Sequence, residues 1–284
     1  MNKNRDVIIT AESTCDIPLR LKEHFGIETI PFYIKTKHGI FAEQEEIRGG
    51  NILEYIELNK SFPEVIPPSA DEFTAFFSAL LRNCGSIVHI SQSSTASAAY
   101  RNAVEAAVNM DNVYVVDSGQ LAAGISIAVL NAAKMAQSGF SAKVIKSETD
   151  MLTSSIVNTI IAGKIDYVHH AGIVSGFMGS MCDTFHLKPC FKVSKGGYSG
   201  DVKIIDGVES YMEQFVHRAL KNPRDIDTSI LIINSAGCTY TEIERLKKLV
   251  DRQVHFENVY VADESPCLAW VFGRGAYGLV FKNK

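Results

Sequence analysis

The feature that most constrains the fold is a repeated order of short Val- and Ile-rich runs, each followed by a polar turn and a helical stretch. Such units begin at DVIITAEST, SIVHISQSS, NVYVVDSG and TSILIINSAG. The runs lack strict alternation of apolar and polar residues, which is typical of strands buried on both faces of a parallel sheet. Capping-box patterns at Ser69–Glu72 and Thr241–Glu244 mark two helix starts. The sequence therefore predicts an α/β protein with doubly wound, mainly parallel sheets.

A change of pattern near the middle of the chain predicts two domains. The strand–helix repeats stop at a Ser/Thr-rich helical stretch, residues 148–159, and the chain of 284 residues is long for one ordinary domain. We therefore expect an N-terminal α/β domain at residues 1–150 and a C-terminal α/β domain at residues 151–284. A cleft between them is the expected ligand site, because small molecules often bind between domains. The stretch 167–174 is predicted to be a strand of the second domain.

Charge and composition exclude several classes of protein. The net charge of −4 and the pI near 6.1 disfavour nucleic-acid binding. The opening residues predict a strand rather than a signal peptide, and no segment reaches the roughly 18–20 apolar residues of a membrane span. We expect a soluble, cytoplasmic protein. The six cysteines form no C-x-x-C pair and the eight histidines show no metal spacing, so neither a metal nor a cofactor is predicted.

Hydroxyl side chains cluster where three predicted strands end. Since the carboxyl ends of parallel strands meet at one edge of a sheet, and helix N-termini there carry partial positive charge, this edge predicts a site for an anion. The alternative is that each hydroxyl only caps its own helix, which stays open for Ser13, Thr14 and Ser118. The hydroxyls within residues 93–97 exceed what one cap uses. The residues assigned to the head group of a ligand are Ser93, Ser94, Ser97, Ser13, Thr14 and Ser118.

An apolar cluster lies in the second half, in GIVSGFMGSMCDTFHLKP. Such residues usually form core, but they could also sheathe an acyl chain, with flexible Met adapting to its shape. No G-x-S-x-G elbow or P-loop is present, and His89, inside a buried strand, is expected to make a structural hydrogen bond. No catalysis by the chain itself is predicted. The residues assigned to the apolar tail are Phe177, Met178, Met181, Phe185 and Ile173.

The order and spacing of several motifs resemble the DegV family over nearly the whole chain. The family signatures S-T-x-D-[IL]-P, S-S-x-L-S-G-T-Y and D-S-x-x-x-x-x-G are similar to the segments that begin at Ser13, Ser93 and Asp117. The resemblance implies a two-domain α/β protein that encloses one long-chain fatty acid and uses no cofactor. In some members it implies a carrier that presents the carboxylate to a separate fatty acid kinase.

The chain departs from the family at three head-group positions. Val65 stands where the family has Thr, Ile173 where it has Arg, and Val271 where it has His. A buried carboxylate without a cation is costly, so either Arg274 or His170 substitutes, or the ligand is different or neutral, or the head-group function is lost. Two rival functions also stay open: an α/β enzyme acting on a small anionic substrate, and a ligand-free regulatory relative.

Overall fold

The chain forms two compact units. The computed structural model describes residues 5–176, 188–194, 196–199, 211–262 and 265–284. Unit 1 comprises Met1–Ile47, Pro63–Ser155 and Lys195–Gly197, and unit 2 comprises Arg48–Phe62, Ile156–Ser194 and Tyr198–Lys284. The chain thus leaves unit 1 for one helical segment before it returns. The predicted boundary between residues 150 and 151 falls inside the helix Ala142–Leu152.

A four-stranded parallel sheet forms the centre of unit 1. Its order is β2-β1-β6-β7, and five consecutive buried residues at the end of β6 show that both faces are covered. Phe73 and Phe77 of one helix and Ala103 and Ala106 of another pack against the sheet. The strands are β1 (Arg5–Glu12), β2 (Glu28–Ile30), β6 (Cys84–Ser91) and β7 (Val113–Asp117); the helices are α1 (Leu19–Phe25), α3 (Ala70–Leu80), α4 (Ala99–Ala107), α5 (Ala123–Gln137) and α6 (Ala142–Leu152).

A small antiparallel sheet also belongs to unit 1. Its order is β4-β3-β5, formed by β3 (Tyr33–Thr36), β4 (Gly39–Ala42) and β5 (Glu64–Ile66). Val65 lies in β5 opposite Ile34 of β3.

The sheet of unit 2 has six strands in the order β10-β9-β8-β13-β11-β12. Of its described pairings, β8–β9, β8–β13 and β11–β13 are antiparallel, and only β11–β12 is parallel. The strands are β8 (Ile156–Ile161), β9 (Cys190–Ser194), β10 (Gly197–Ser199), β11 (Ile226–Ala236), β12 (Val259–Val261) and β13 (Ala276–Asn283); the helices are α2 (Gly49–Asn59), α7 (Ile165–His170), α8 (Tyr211–Ala219), α9 (Tyr240–Gln253) and α10 (Pro266–Phe272).

The structure confirms the α/β class and corrects two details. The prediction of mainly parallel sheets is right for the four-stranded sheet of unit 1, but the small sheet of unit 1 and most of the sheet of unit 2 are antiparallel. Strands buried on both faces read as continuous apolar runs, and this pattern does not reveal their direction. The predicted strand at 167–174 is also wrong, because α7 covers its first half and a turn follows, with Ile165 and Val168 buried. Among the helices of the described segments, none is long and apolar enough to cross a membrane.

Candidate functional site

The candidate site is the edge of the unit 1 sheet at which its strands end. β1 ends at Glu12, β6 at Ser91 and β7 at Asp117, and because these strands are parallel and adjacent their carboxyl ends lie side by side. The predicted hydroxyls follow directly after these three ends. The sequence prediction that places them at one sheet edge is therefore correct in its topology.

Ser13 and Thr14 lie in the 3-10 turn after β1 and are both buried. The Ser13 hydroxyl donates to Glu43 Oε2 and accepts from the Phe32 N–H at 3.0 Å. The Thr14 hydroxyl donates to Gln92 Oε1 at 3.4 Å. These two hydroxyls thus connect three segments of unit 1, which is a structural use of both side chains.

The hydroxyls after β6 differ in exposure. Ser93 is buried, and its Oγ lies 3.0 Å from the hydroxyl of Thr95. Ser97 Oγ accepts from Gln92 Nε2 and from the Ala99 N–H at the start of α4. Ser94 is exposed and donates its backbone N–H to Asp117 Oδ1 at 3.2 Å. Among the described residues, no hydrogen bond partner is found for the Ser94 hydroxyl, so this side chain is the most available of the group.

Ser118, after β7, caps a local turn. Its Oγ accepts from the Gln120 N–H at 3.1 Å, and its own N–H donates to the Ser91 carbonyl at 3.1 Å. The Gln120 side chain is buried, and its Oε1 has no hydrogen bond partner among the described atoms.

A glycine turn covers part of the hydroxyl cluster. Gly196, grouped with unit 1, has a φ of +78°. A Cβ on Gly196 would lie 2.2 Å from Ser93 Oγ and 2.7 Å from Thr95 Oγ1. The backbone therefore packs directly on these two hydroxyls, and both the close approach and the positive φ require glycine here.

Below the hydroxyls lies a buried acidic network that the sequence prediction missed. Glu12 has no exposed surface; it accepts from the Ser91 hydroxyl, from the Gln92 N–H at 3.0 Å, and lies 3.3 Å from His89 Nε2. The other ring nitrogen of His89 lies 2.9 Å from the Thr10 hydroxyl. The prediction of a structural role for His89 is confirmed. A glutamate at a strand end beside Ser13 was the only available signal for the network.

The acidic character of the edge bears on what it can hold. Two carboxylates bond to the predicted residues. Glu43 accepts from the Ser13 hydroxyl, and Asp117 accepts from the Ser94 backbone N–H. An added anion would meet like charge there, which favours a ligand bound through hydrogen bonds and raises the pKa of a bound acid. Nearby, burial raises the pKa of the Cys15 thiol to about 12, which leaves it protonated and inert.

The two candidate cations lie in unit 2 and are both engaged there. Arg274 donates from Nε and Nη2 to the two carboxylate oxygens of Glu57, each at 3.0 Å. The hydrogen bond from Arg274 lowers the pKa of Glu57, against the opposing effect of burial. The ring of His170 stacks on Phe62 with centroids 3.8 Å apart. A head-group role for Arg274 thus requires it to exchange a bidentate ion pair for the ligand.

Of the five residues predicted to contact the tail, the structure describes one. Phe177, Met178, Met181 and Phe185 lie outside the described residues. Ile173 follows α7, is half-buried, and donates its N–H to the Val168 carbonyl at 3.1 Å. Within the described segments, no group of three or more His, Cys, Asp or Glu side chains is placed to hold a metal ion.

The parallel sheet with hydroxyls at the carboxyl ends of its strands, together with a second, largely antiparallel unit, defines a two-unit α/β protein. The family model for DegV, a family of uncharacterised proteins, matches residues 6–284. The chain belongs to the DegV family.

Curated relatives and solved structures agree with this membership. A DegV domain-containing protein of Clostridium acetobutylicum is 23% identical, over 97% of this chain and 98% of that protein. A fatty acid-binding protein of Thermotoga maritima is 26% identical, over 67% of this chain and 68% of that protein. A fatty-acid-binding DegV protein of Thermus thermophilus has the same fold, with a TM-score of 0.86 at 19% identity, covering 98% and 100% of the two chains. A DegV protein of Eubacterium eligens loaded with heptadecanoic acid has a TM-score of 0.81 at 18% identity, covering 98% and 100%.

Proposed function

We propose that this chain binds a single long-chain fatty acid, or a similar lipid, and does not transform it. The observation that carries the proposal is the hydroxyl edge of unit 1, where the exposed Ser94 hydroxyl stands beside Ser93 and Thr95 at the end of a parallel strand. The proteins of Thermotoga maritima and Thermus thermophilus, which are described as binding fatty acids, support the class of ligand.

The head group is proposed to lie at Ser94 and Ser93. A carboxylate accepts hydrogen bonds, so it needs hydroxyls that can turn towards it. Ser13 and Thr14 bond other segments of unit 1 and Ser97 caps the start of α4, which makes them supports of the edge. The Ser93 hydroxyl bonds its near neighbour Thr95, and contact with the ligand requires it to exchange that bond. An apolar tail adds about 0.8 kcal/mol for each buried methylene, so the tail rather than the head supplies most of the affinity.

A finer proposal is that the chain presents the carboxylate to a separate kinase. An exposed head-group residue such as Ser94 would leave the carboxylate reachable by a partner. The test is to load the chain with a radiolabelled fatty acid, add a bacterial fatty acid kinase subunit with ATP, and look for acyl phosphate. No product with a kinase that is active on its own carrier would contradict this role without affecting lipid binding.

Binding itself is tested by extraction. The purified protein is denatured and extracted with organic solvent, and the released lipid is identified by mass spectrometry. We expect close to one fatty acid per chain. An empty extract, together with failure to take up added palmitate, would overturn the proposal.

The head-group assignment has its own variants. Ser93→Ala with Ser94→Ala should reduce the fatty acid retained per folded chain, while the free energy of unfolding without ligand changes by no more than about 1–2 kcal/mol. Ser154→Ala removes an exposed serine of unit 1 whose hydroxyl donates to the Met151 carbonyl, and serves as the matched control. Equal retention in both variants would place the head group elsewhere.

A ligand-free regulatory protein is the second candidate function. The packing of Gly196 on Ser93 and Thr95 favours it, because these hydroxyls are then already covered by backbone. The same extraction decides between the two candidates.

A further inference from the structure

Unit 2 contains a cavity of about 300 Å³ that is separate from the hydroxyl edge of unit 1. It lies where β8 starts and β13 ends, against α8 and the segment that connects α8 to β11. Its apolar floor includes the buried rings of Phe191, Phe215 and Phe281. This volume is at the lower end of the range of about 300–1,000 Å³ that is typical of small-ligand pockets.

The rim of the cavity is positively charged. Lys192, Arg218 and Lys221 are exposed at the rim, against the single carboxylate of Asp225. Within the described part of the chain, no ion pair involves the ammonium group of Lys192 or Lys221. A local excess of positive charge is unexpected on a chain with a net charge of −4. Basic side chains over an apolar floor are complementary to an anion with an apolar body.

We propose that this cavity is a second ligand site, which binds a medium-chain fatty carboxylate. The alkyl chain lies on the phenylalanine floor, and the carboxylate lies between Lys192 and Lys221. The small volume excludes a diacyl phospholipid. The site goes beyond the proposed long-chain ligand, because every residue that forms it belongs to unit 2 and none is among the proposed head-group residues.

The test is calorimetric titration of the full-length protein with decanoate, before and after saturation with palmitate. We expect one decanoate per chain to bind to the palmitate-saturated protein. Decanol, which has the same tail without the charge, should bind more weakly. If palmitate abolishes decanoate binding, the cavity is part of the long-chain site and the proposal is wrong. If palmitate does not bind but decanoate does, the second site stands and the long-chain proposal fails.

Charge variants test the rim directly. Lys192→Gln and Lys221→Gln should each weaken decanoate binding about threefold, and the double variant about tenfold, because exposed charges each contribute modestly. Asp225→Asn should strengthen binding, an opposite sign that loss of structure does not produce. Lys248→Gln, an exposed lysine of α9 outside the cavity, is the matched control. Equal weakening by the control, or unchanged binding in the double variant, would overturn the site.

Discussion

Replacement of Glu12 by Gln tests the buried network beneath the sheet edge. The Glu12 carboxylate is fully buried and accepts from the Ser91 hydroxyl and the Gln92 N–H, with His89 at 3.3 Å. Gln keeps one acceptor oxygen but turns a donor NH₂ towards the Gln92 N–H. That buried N–H then lacks an acceptor, which costs about 1–3 kcal/mol, and the remaining bonds lose their charge assistance. We expect a total loss of about 2–4 kcal/mol in the free energy of unfolding.

Urea unfolding followed by far-UV circular dichroism measures this loss. The midpoint should fall while the slope with urea stays constant, since the same surface is exposed on unfolding. Glu28→Gln, on the exposed side of β2 in the same sheet, should change stability by less than about 0.5 kcal/mol. In a double-mutant cycle with Ser91→Ala, a coupling of about 1 kcal/mol is expected because the two side chains share a hydrogen bond. A cost below about 0.5 kcal/mol for Glu12→Gln would refute the reasoning.

Three further predictions concern unit 2, each measured by chemical or thermal unfolding. Gly278→Ala should destabilise by about 1–3 kcal/mol, because a Cβ there would lie 2.2 Å from Asn234 Oδ1. Burial opposes ionisation of Asp227, but hydrogen bonds from Ser229 and the nearby Lys282 outweigh it and lower its pKa from 3.8 to about 2. The resulting stabilisation is complete above pH 3.8 and is lost as the pH falls towards 2. Asp227→Asn should therefore make the free energy of unfolding less dependent on pH between 3.8 and 2. Thr239→Ala should cost about 1 kcal/mol, because the Thr239 hydroxyl caps α9 by accepting from the Glu242 N–H.

Each of these predictions has a control and a contrary result. Gly197→Ala should be neutral, since among the described residues, apart from its chain neighbours, no atom lies within 4 Å of the added Cβ; equal effects at both glycines would contradict the steric argument. Asp251→Asn, on an exposed carboxylate of α9, should leave the acid dependence unchanged. Thr241→Ala should reduce the free energy of unfolding by less than Thr239→Ala does. The reverse order would show that Thr241 caps the helix.

The start of α9 shows that a sequence pattern can fail to locate a helix cap. The pattern Thr241–Glu244 predicts a capping box, but the cap is Thr239 with Glu242, two residues earlier. Both quartets have a hydroxyl three residues before a glutamate, so the pattern alone does not separate them. At Ser69 only one such quartet exists, and there the predicted box is the observed one.

The parallel sheet of unit 1 could be predicted because its strands and helices alternate along the chain, whereas the small antiparallel sheet β4-β3-β5 was missed. In unit 2 the order of strands is not sequential, and β13, the last strand, pairs between β8 and β11. Pairings over such sequence distances leave no local signal. The partners of Glu12 were missed for the same reason, since His89 and Ser91 lie 77 and 79 residues away in the chain.

Only the structure distinguishes the predicted head-group hydroxyls that support the sheet edge from those that are available to a ligand. The Ser13 hydroxyl donates a hydrogen bond to Glu43 on a different segment, so it is not available to a ligand, whereas Ser94 is exposed. The sequence pattern places both residues after strand ends and does not show this difference. A carboxylate at Ser94 would lie near Asp117, and the repulsion should hold more of the ligand in its neutral acid form than in water. The unit 2 cavity has the opposite sign, with three basic side chains and one acid at its rim. The two sites therefore separate by pH: retention at the Ser94 edge should strengthen as the pH falls, and binding of decanoate at the cavity should weaken as its carboxylate is protonated. A ligand whose retention followed only the second dependence would be bound in the cavity alone.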